Sequence, residues 1–92
     1  MIKSFGHRAL KRLYEQDDGS RLPQDMVPRI AAILAALDSA GSPQDLDRPS
    51  LRLHPLKGKR QGKWAVTVRA NWRITFSMSD GNAFDVDFED YH

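Results

Sequence analysis

The sequence predicts an α+β fold: two helices packed on one face of a small antiparallel sheet, built from a short N-terminal strand and a three-stranded meander. Three observations predict it. Apolar residues recur at helical spacing in two stretches up to Leu37. After Lys63 their period changes to two. With 92 residues and 40% hydrophobic content, the chain supports a single domain, 1–92, with one core.

Met1 to Phe5 reads as a short strand. Leu10, Leu13 and Tyr14 then share one helical face, so His7 to Gln16 reads as an amphipathic helix with Ser4 as its N-cap. His7 falls on the surface of that helix. Asp17-Asp18-Gly19-Ser20 breaks it. Val27, Ile30, Ile33, Leu34 and Leu37 form the stripe of a second helix. Pro28 is tolerated only in a first turn, which puts the start near Gln24 or Asp25; Gly41 and Pro43 end it. Ser42 to Leu53 reads as a loop.

Three alternating segments follow, with Trp64, Val66 and Val68, then Trp72, Ile74, Phe76 and Met78, then Phe84, Val86 and Phe88 on the apolar side. Partners across strands must share a face. A two-residue turn at Ala70-Asn71 would pair Arg69 with Trp72 and mix the faces. Three-residue turns at Arg69-Ala70-Asn71 and Ser79-Asp80-Gly81 are therefore expected, pairing Val68 with Trp72, Thr67 with Arg73, Phe76 with Phe84 and Arg73 with Asp87. Arg73 then lies near the middle of a polar outer face.

Composition excludes several classes. No apolar run approaches the ~20 residues of a membrane span. Met1 to Phe5 meets a charged stretch with no signal-like apolar region. Without cysteine there is no disulfide or thiolate zinc site. A cytoplasmic protein with no membrane partner is expected.

Net charge is only +2, but the charges are sorted. Arg48, Arg52, Lys57, Lys59, Arg60, Lys63, Arg69 and Arg73 follow one another with no acid between them. Asp80, Asp85, Asp87, Glu89 and Asp90 do so with no base. A solvated face explains such runs. So does a phosphate backbone as partner. Metal-free RNA cleavage needs a group to take the 2′-hydroxyl proton, another to protonate the leaving 5′-oxygen, and cations for the phosphorane. His54, Lys57, Lys59 and Arg60 precede the sheet, and Asp90, Tyr91 and His92 follow its last strand. If that strand runs on regularly, Tyr91 shares the side of Arg73. Each has a structural alternative: His54 as a loop residue, Tyr91 as a sheet-edge ring, Arg73 as an ordinary cross-strand ion pair. Asp85, Asp87 and Glu89 on one face also suggest a magnesium site, which flanking bases oppose.

Leu53-His54-Pro55-Leu56-Lys57-Gly58, Gly62-Lys63-Trp64, Val68-Arg69-Ala70-Asn71-Trp72-Arg73-Ile74-Thr75-Phe76, Asp80-Gly81 and Asp90-Tyr91-His92 together resemble the HigB toxins of the RelE/ParE superfamily of type II toxin–antitoxin systems. The resemblance spans essentially the whole chain. It is dense from Leu53 onward and looser across the helices. It implies a RelE-like fold and a ribosome-dependent endoribonuclease that cleaves mRNA in the decoding site without metal or cofactor. It carries over His54, Lys57, Arg73, Asp90, Tyr91 and His92 as catalytic positions. His92 would transfer protons, with Asp90 orienting it or sharing that work, and Tyr91 would stack on a base or bond the phosphate. Arg73 and Lys57 would stabilise the phosphorane, and His54 would be a second proton carrier or a phosphate ligand. Arg52, Lys57, Lys59, Arg60 and Lys63 would contact RNA of the ribosome. The implied partners are a HigA-type helix-turn-helix antitoxin, the ribosome and mRNA, with operator DNA reached only through the antitoxin. The same superfamily leaves two alternatives: a ParE-like toxin that binds gyrase, and an inactive co-repressor.

Overall fold

The computed structural model describes residues 1–90; Tyr91 and His92 lie outside the described residues. Helices α1 (Arg8–Gln16) and α2 (Val27–Ser39) pack on an antiparallel sheet of four strands. Its order is β1 (His54–Pro55), β2 (Lys63–Arg69), β3 (Trp72–Ser79) and β4 (Asn82–Asp90). The helices cover one face, where Leu10, Ile30, Leu37, Val66, Ile74, Phe76 and Val86 are fully buried. Among the described residues, no helix is long and apolar enough to cross a membrane.

The N-terminal segment is not a regular strand. It runs parallel to β4 through two isolated bridges, Ile2 to Ala83 and Phe5 to Val86. Its hydrogen bonds include Lys3 N–H to the Ala83 carbonyl at 2.7 Å and Gly6 N–H to the Val86 carbonyl at 2.9 Å. His7 rather than Ser4 caps α1: its Nδ1 accepts the Leu10 N–H at 3.4 Å. Ser4 Oγ instead accepts the Asp85 N–H at 2.9 Å. His7 is thus no bystander, and its ring also meets Phe88 edge-on.

Ala9, Leu10 and Leu13 form the buried stripe of α1, while Tyr14 turns outward. The Tyr14 hydroxyl donates to Asp38 Oδ1 at 2.6 Å, and the same oxygen accepts the Ile2 N–H at 2.9 Å. One carboxylate therefore ties α1 and the N-terminal segment to α2. The Tyr14 bond, then the Ile2 bond, hold the Asp38 carboxyl below its ordinary range. Helix α2 begins two or three residues later than expected, but Pro28 does fall in its first turn. Ser42 to Leu53 is less irregular than a loop. It holds a 3-10 turn, Pro43–Leu46, whose Asp45 accepts the Gly41 and Ser42 N–H groups at 2.8 and 3.2 Å.

The hairpins differ from the expected three-residue turns. The β3–β4 turn has two central residues, Asp80 and Gly81, both with positive φ (52° and 77°), which is the type I′ requirement. Ser79 pairs with Asn82 and Ser77 with Phe84. A bulge between Thr75 and Ser77 then shifts the register, with Asp85 at φ 53°. Beyond it Thr75 pairs with Asp87 and Arg73 with Glu89, not with Asp87 as expected. Phe84 consequently lies on the outer face beside Ser77, and Ala83 takes the buried place. The bulge exists because a two-residue turn alone would put Val86 and Phe88 outside.

The β2–β3 hairpin solves the same conflict the same way. Its turn is Ala70-Asn71, Arg69 pairs with Trp72, and a bulge between Thr67 and Arg69 restores the Thr67–Arg73 pairing. The extra residue interrupts the ladder, and Arg29 of α2 bonds the carbonyls there. Its guanidinium donates to Val68 O at 2.9 Å, Thr67 O at 3.3 Å and Ser50 O at 2.6 Å. Replacing Arg29 with Met keeps the aliphatic stem and removes these donors. Arg29→Met should cost about 1–3 kcal/mol, read as a lower urea midpoint with an unchanged slope. An unchanged midpoint would mean that the bulge does not depend on Arg29.

Candidate active site

The outer face of the sheet builds the site from two neighbouring rows. His54, Ala65, Thr75 and Asp87 are successive partners across the four strands; Thr67, Arg73 and Glu89 form the next row. Ala65 and Thr75 are small and buried, forming a floor over which the long side chains of both rows meet. Nothing in the sequence pattern singles out either residue.

His54 sits on β1, a strand the alternation pattern does not reveal because it is two residues long and contains proline. Its Nδ1 lies 2.9 Å from the Arg52 carbonyl and its Nε2 lies 2.8 Å from Arg73 Nη1. A carbonyl only accepts and a guanidinium only donates. Nδ1 therefore carries the proton, and the Nε2 lone pair accepts from Arg73. Arg52 adopts φ 49°, a left-handed conformation, at the position that presents this carbonyl. The imidazole is fixed as one tautomer between a backbone group and a cation.

The loop from Leu56 to Gly62 carries the 3-10 turn Gly58–Arg60, and Arg60 reaches from it to β4. Adjacent strands stand about 4.8 Å apart, so that reach spans about 10 Å of sheet. Arg60 Nη1 donates to Glu89 Oε1 at 2.9 Å, and Nη2 pairs with Oε2. Thr75 Oγ1 donates to Oε2 at 2.8 Å. Burial alone would raise the Glu89 pKa. Bonds from Arg60 and Thr75, with the charges of Arg60 and Lys63, outweigh it and hold the carboxyl below its ordinary value. Two shallow grooves flank the Pro55-Leu56-Lys57 segment. One, of about 310 Å³, is lined by His54, Lys57 and Arg60; the other, of about 440 Å³, by Lys57, Gln61, Lys63 and Trp64.

The structure thus brings His54, Arg73, Lys57, Arg60 and Lys63 to one face. Lys57 and Lys59 are exposed on the loop, and Arg52 beside it. Asp90 ends β4 opposite Trp72. Tyr91 and His92, two of the six expected catalytic positions, lie outside the described residues. Sequence reasoning named Glu89 only as a candidate metal-ligating acid and missed its place beside Arg73: its parity with Arg73 was visible, but the expected register gave Arg73 to Asp87. Asp85, Asp87 and Glu89, the three acids of β4 expected as a magnesium site, do not act alike. Asp85 sits at the bulge, Asp87 Oδ1 accepts the Phe88 N–H at 2.8 Å, and Glu89 is bound by Arg60 and Thr75. Among the described residues, no three His, Asp or Glu side chains converge as metal ligands.

Glu89 makes stability depend on pH. Its folded pKa is lowered, so its ionisation stabilises the fold above the unfolded value, about 4.3. That contribution disappears as pH falls through the folded value. The melting-temperature gap between wild type and Glu89→Gln should be full at neutral pH and close progressively below about pH 4. A gap that persists undiminished in acid would remove the charge as its cause.

The similarities to known proteins agree with this fold. A family model described as "RelE-like toxin of type II toxin-antitoxin system HigB" matches residues 3–92. "Endoribonuclease HigB" of Proteus vulgaris is 50% identical over 92 residues, covering 100% of both chains. A YafQ variant from E. coli superposes with a TM-score of 0.61 at 14% identity, covering 98% of this chain and 91% of its own. The YoeB dimer structure from Staphylococcus aureus gives 0.59 at 16% identity, covering 99% and 94%. At such identities the structural likeness establishes the fold alone. With the family model spanning almost the whole sequence and a full-length relative at half identity, the chain belongs to the HigB-like family of RelE-like toxins of type II toxin–antitoxin systems.

Proposed function

We propose that this toxin is a metal-independent endoribonuclease that cleaves mRNA in the decoding site of the ribosome and thereby stops translation in the cytoplasm. The observation that carries the reading is the His54–Arg73 pair, a tautomer-fixed imidazole joined to a guanidinium on a basic, grooved face. The full-length endoribonuclease relative supports it. In the reaction the 2′-hydroxyl of one nucleotide attacks the adjacent phosphorus, its proton passing to a base. The 5′-oxygen leaves with a proton from an acid, giving a 2′,3′-cyclic phosphate and a 5′-hydroxyl.

Arg73 and Lys57 offset the charge that grows on the phosphorane. When Arg73 turns to a phosphate, the Nε2 lone pair of His54 is released toward the same reacting centre. Asp90, Tyr91 and His92 complete the set: His92 as the principal proton carrier, Asp90 orienting it or sharing that work, and Tyr91 stacked on a base or bonded to the phosphate. No cofactor enters this scheme. Lys57, Lys59, Lys63 and Arg52 bind phosphates of the ribosome and mRNA, and Arg60 binds one more weakly because Glu89 shares its charge. A HigA-type helix-turn-helix antitoxin holds the toxin silent and meets operator DNA on its behalf.

Primer extension on mRNA after induced expression tests the central claim. His92→Ala and His54→Ala should each lower cleavage by about 10²-fold or more, while antitoxin binding stays at the wild-type level. Wild-type cleavage by His92→Ala would sink the proton-transfer role. Intact mRNA with altered DNA topology under wild-type toxin would replace the nuclease with a gyrase-binding toxin. Separately, Lys57→Glu combined with Lys59→Glu and Lys63→Glu should abolish cosedimentation with ribosomes. For single Lys→Ala variants, the slope of binding against salt should fall by about one for each phosphate that is no longer neutralised.

A further inference from the structure

We propose that Arg60 is a positioning residue: by holding the Glu89 carboxylate it keeps Arg73 turned to His54 and available to a phosphate. This rests on the nuclease reading only for its effect on cleavage. The physical problem is set by the sheet. Arg73 and Glu89 are direct partners across β3 and β4, on the same face. Side chains so placed have Cβ atoms about 5 Å apart. A carboxylate and a guanidinium at that separation pair readily, and Arg73 would then spend its donors on Glu89 instead of on substrate.

The arrangement in the fold is different. Both Glu89 oxygens are held by Arg60 from the loop, and one of them also accepts from Thr75 on β3. The Arg73 guanidinium instead meets His54 at 2.8 Å. The Glu89 side chain is 28% exposed, so its hydrogen bonds compete weakly with water and its partner choice has electrostatic force. Arg60 comes from the loop that arches over this face, and its fork matches a carboxylate in a way that a lysine ammonium does not.

A simple stabilising ion pair and a positioning device make opposite predictions for the double variant. Removing Arg60 alone leaves Glu89 able to capture Arg73. Removing both removes Glu89 as a competitor for Arg73. Arg60→Ala should therefore lower kcat by about tenfold with little change in KM, within the coupling expected of residues that touch. Arg60→Ala/Glu89→Ala and Arg60→Ala/Glu89→Gln should recover most of that loss. Glu89→Ala alone should stay within about threefold of wild type, because Arg73 keeps His54. A double variant as slow as Arg60→Ala, or a loss seen only in KM, overturns the proposal and leaves Arg60 with its weak phosphate contact alone.

A measurement without substrate separates this from the nuclease reading. The ¹⁵N signals of the His54 imidazole report its tautomer and the bond at Nε2. Arg60→Ala should shift the Nε2 signal as Arg73 leaves, and either double variant should return it. An Nε2 signal unchanged in Arg60→Ala overturns the positioning role whatever the cleavage result. A shift that returns in the double variants, in a wild-type protein that cleaves no RNA, supports the positioning of Arg73 and refutes the nuclease.

Discussion

The register of β3 against β4 governs the outer face. A type I′ turn at Asp80-Gly81 fixes the near end of that pairing, and burial of Val86 and Phe88 fixes the far end. The two demands differ by one residue, and the bulge at Asp85–Val86 absorbs the difference. Its effect continues to the end of the strand. Beyond the bulge Arg73 faces Glu89, Trp72 faces Asp90, and the Trp72 ring stacks on Phe88 with centroids 4.7 Å apart. Without the bulge, Val86 and Phe88, which seat β4 on the core, would turn to the outer face, and Arg73 would stand opposite Phe88 instead of an acid.

Fold class was legible because it depends on period alone. The change from helical spacing to alternation at Lys63, and the stripe from Ile30 to Leu37, survive any small error in register. Register was less legible. Alternation assumes unbroken strands, and both hairpins contain a bulge, which adds a residue without leaving a compositional mark. The difference at β4 is a shift of two, so it keeps Arg73 on the expected face and changes only its partner. Strand β1 was invisible for another reason: two residues, one of them proline, carry no periodic signal. The His7 cap was hidden because histidine is an uncommon N-cap and Ser4 offered a commoner one. At the candidate site, His54, Lys57 and Arg73 were named from residue type and the family resemblance, and the fold brings them to one face. The roles of Glu89 and Thr75 were not legible, because they lie in what those residues bind.

The basic tract is less uniform than its sequence. Arg69 pairs with Asp25, Arg60 with Glu89, and Arg73 with His54. Arg29, which lies outside the tract, is spent on backbone carbonyls. The exposed lysines of the loop keep their charges toward solvent. Within the tract the fold therefore engages Arg60, Arg69 and Arg73, whereas Arg48, Arg52, Lys57 and Lys59 are exposed.

The pairing of Arg73 with Glu89 also sets an order in time. The outer face combines side chains from β1, the loop after it, β3 and the last third of β4, and their geometry exists only once β4 has closed onto β3. A chain emerging from its own ribosome therefore carries the ingredients of the site without the site. Most of residues 1–90 must be folded before those groups can act together, so the outer face is among the last features of the domain to be completed.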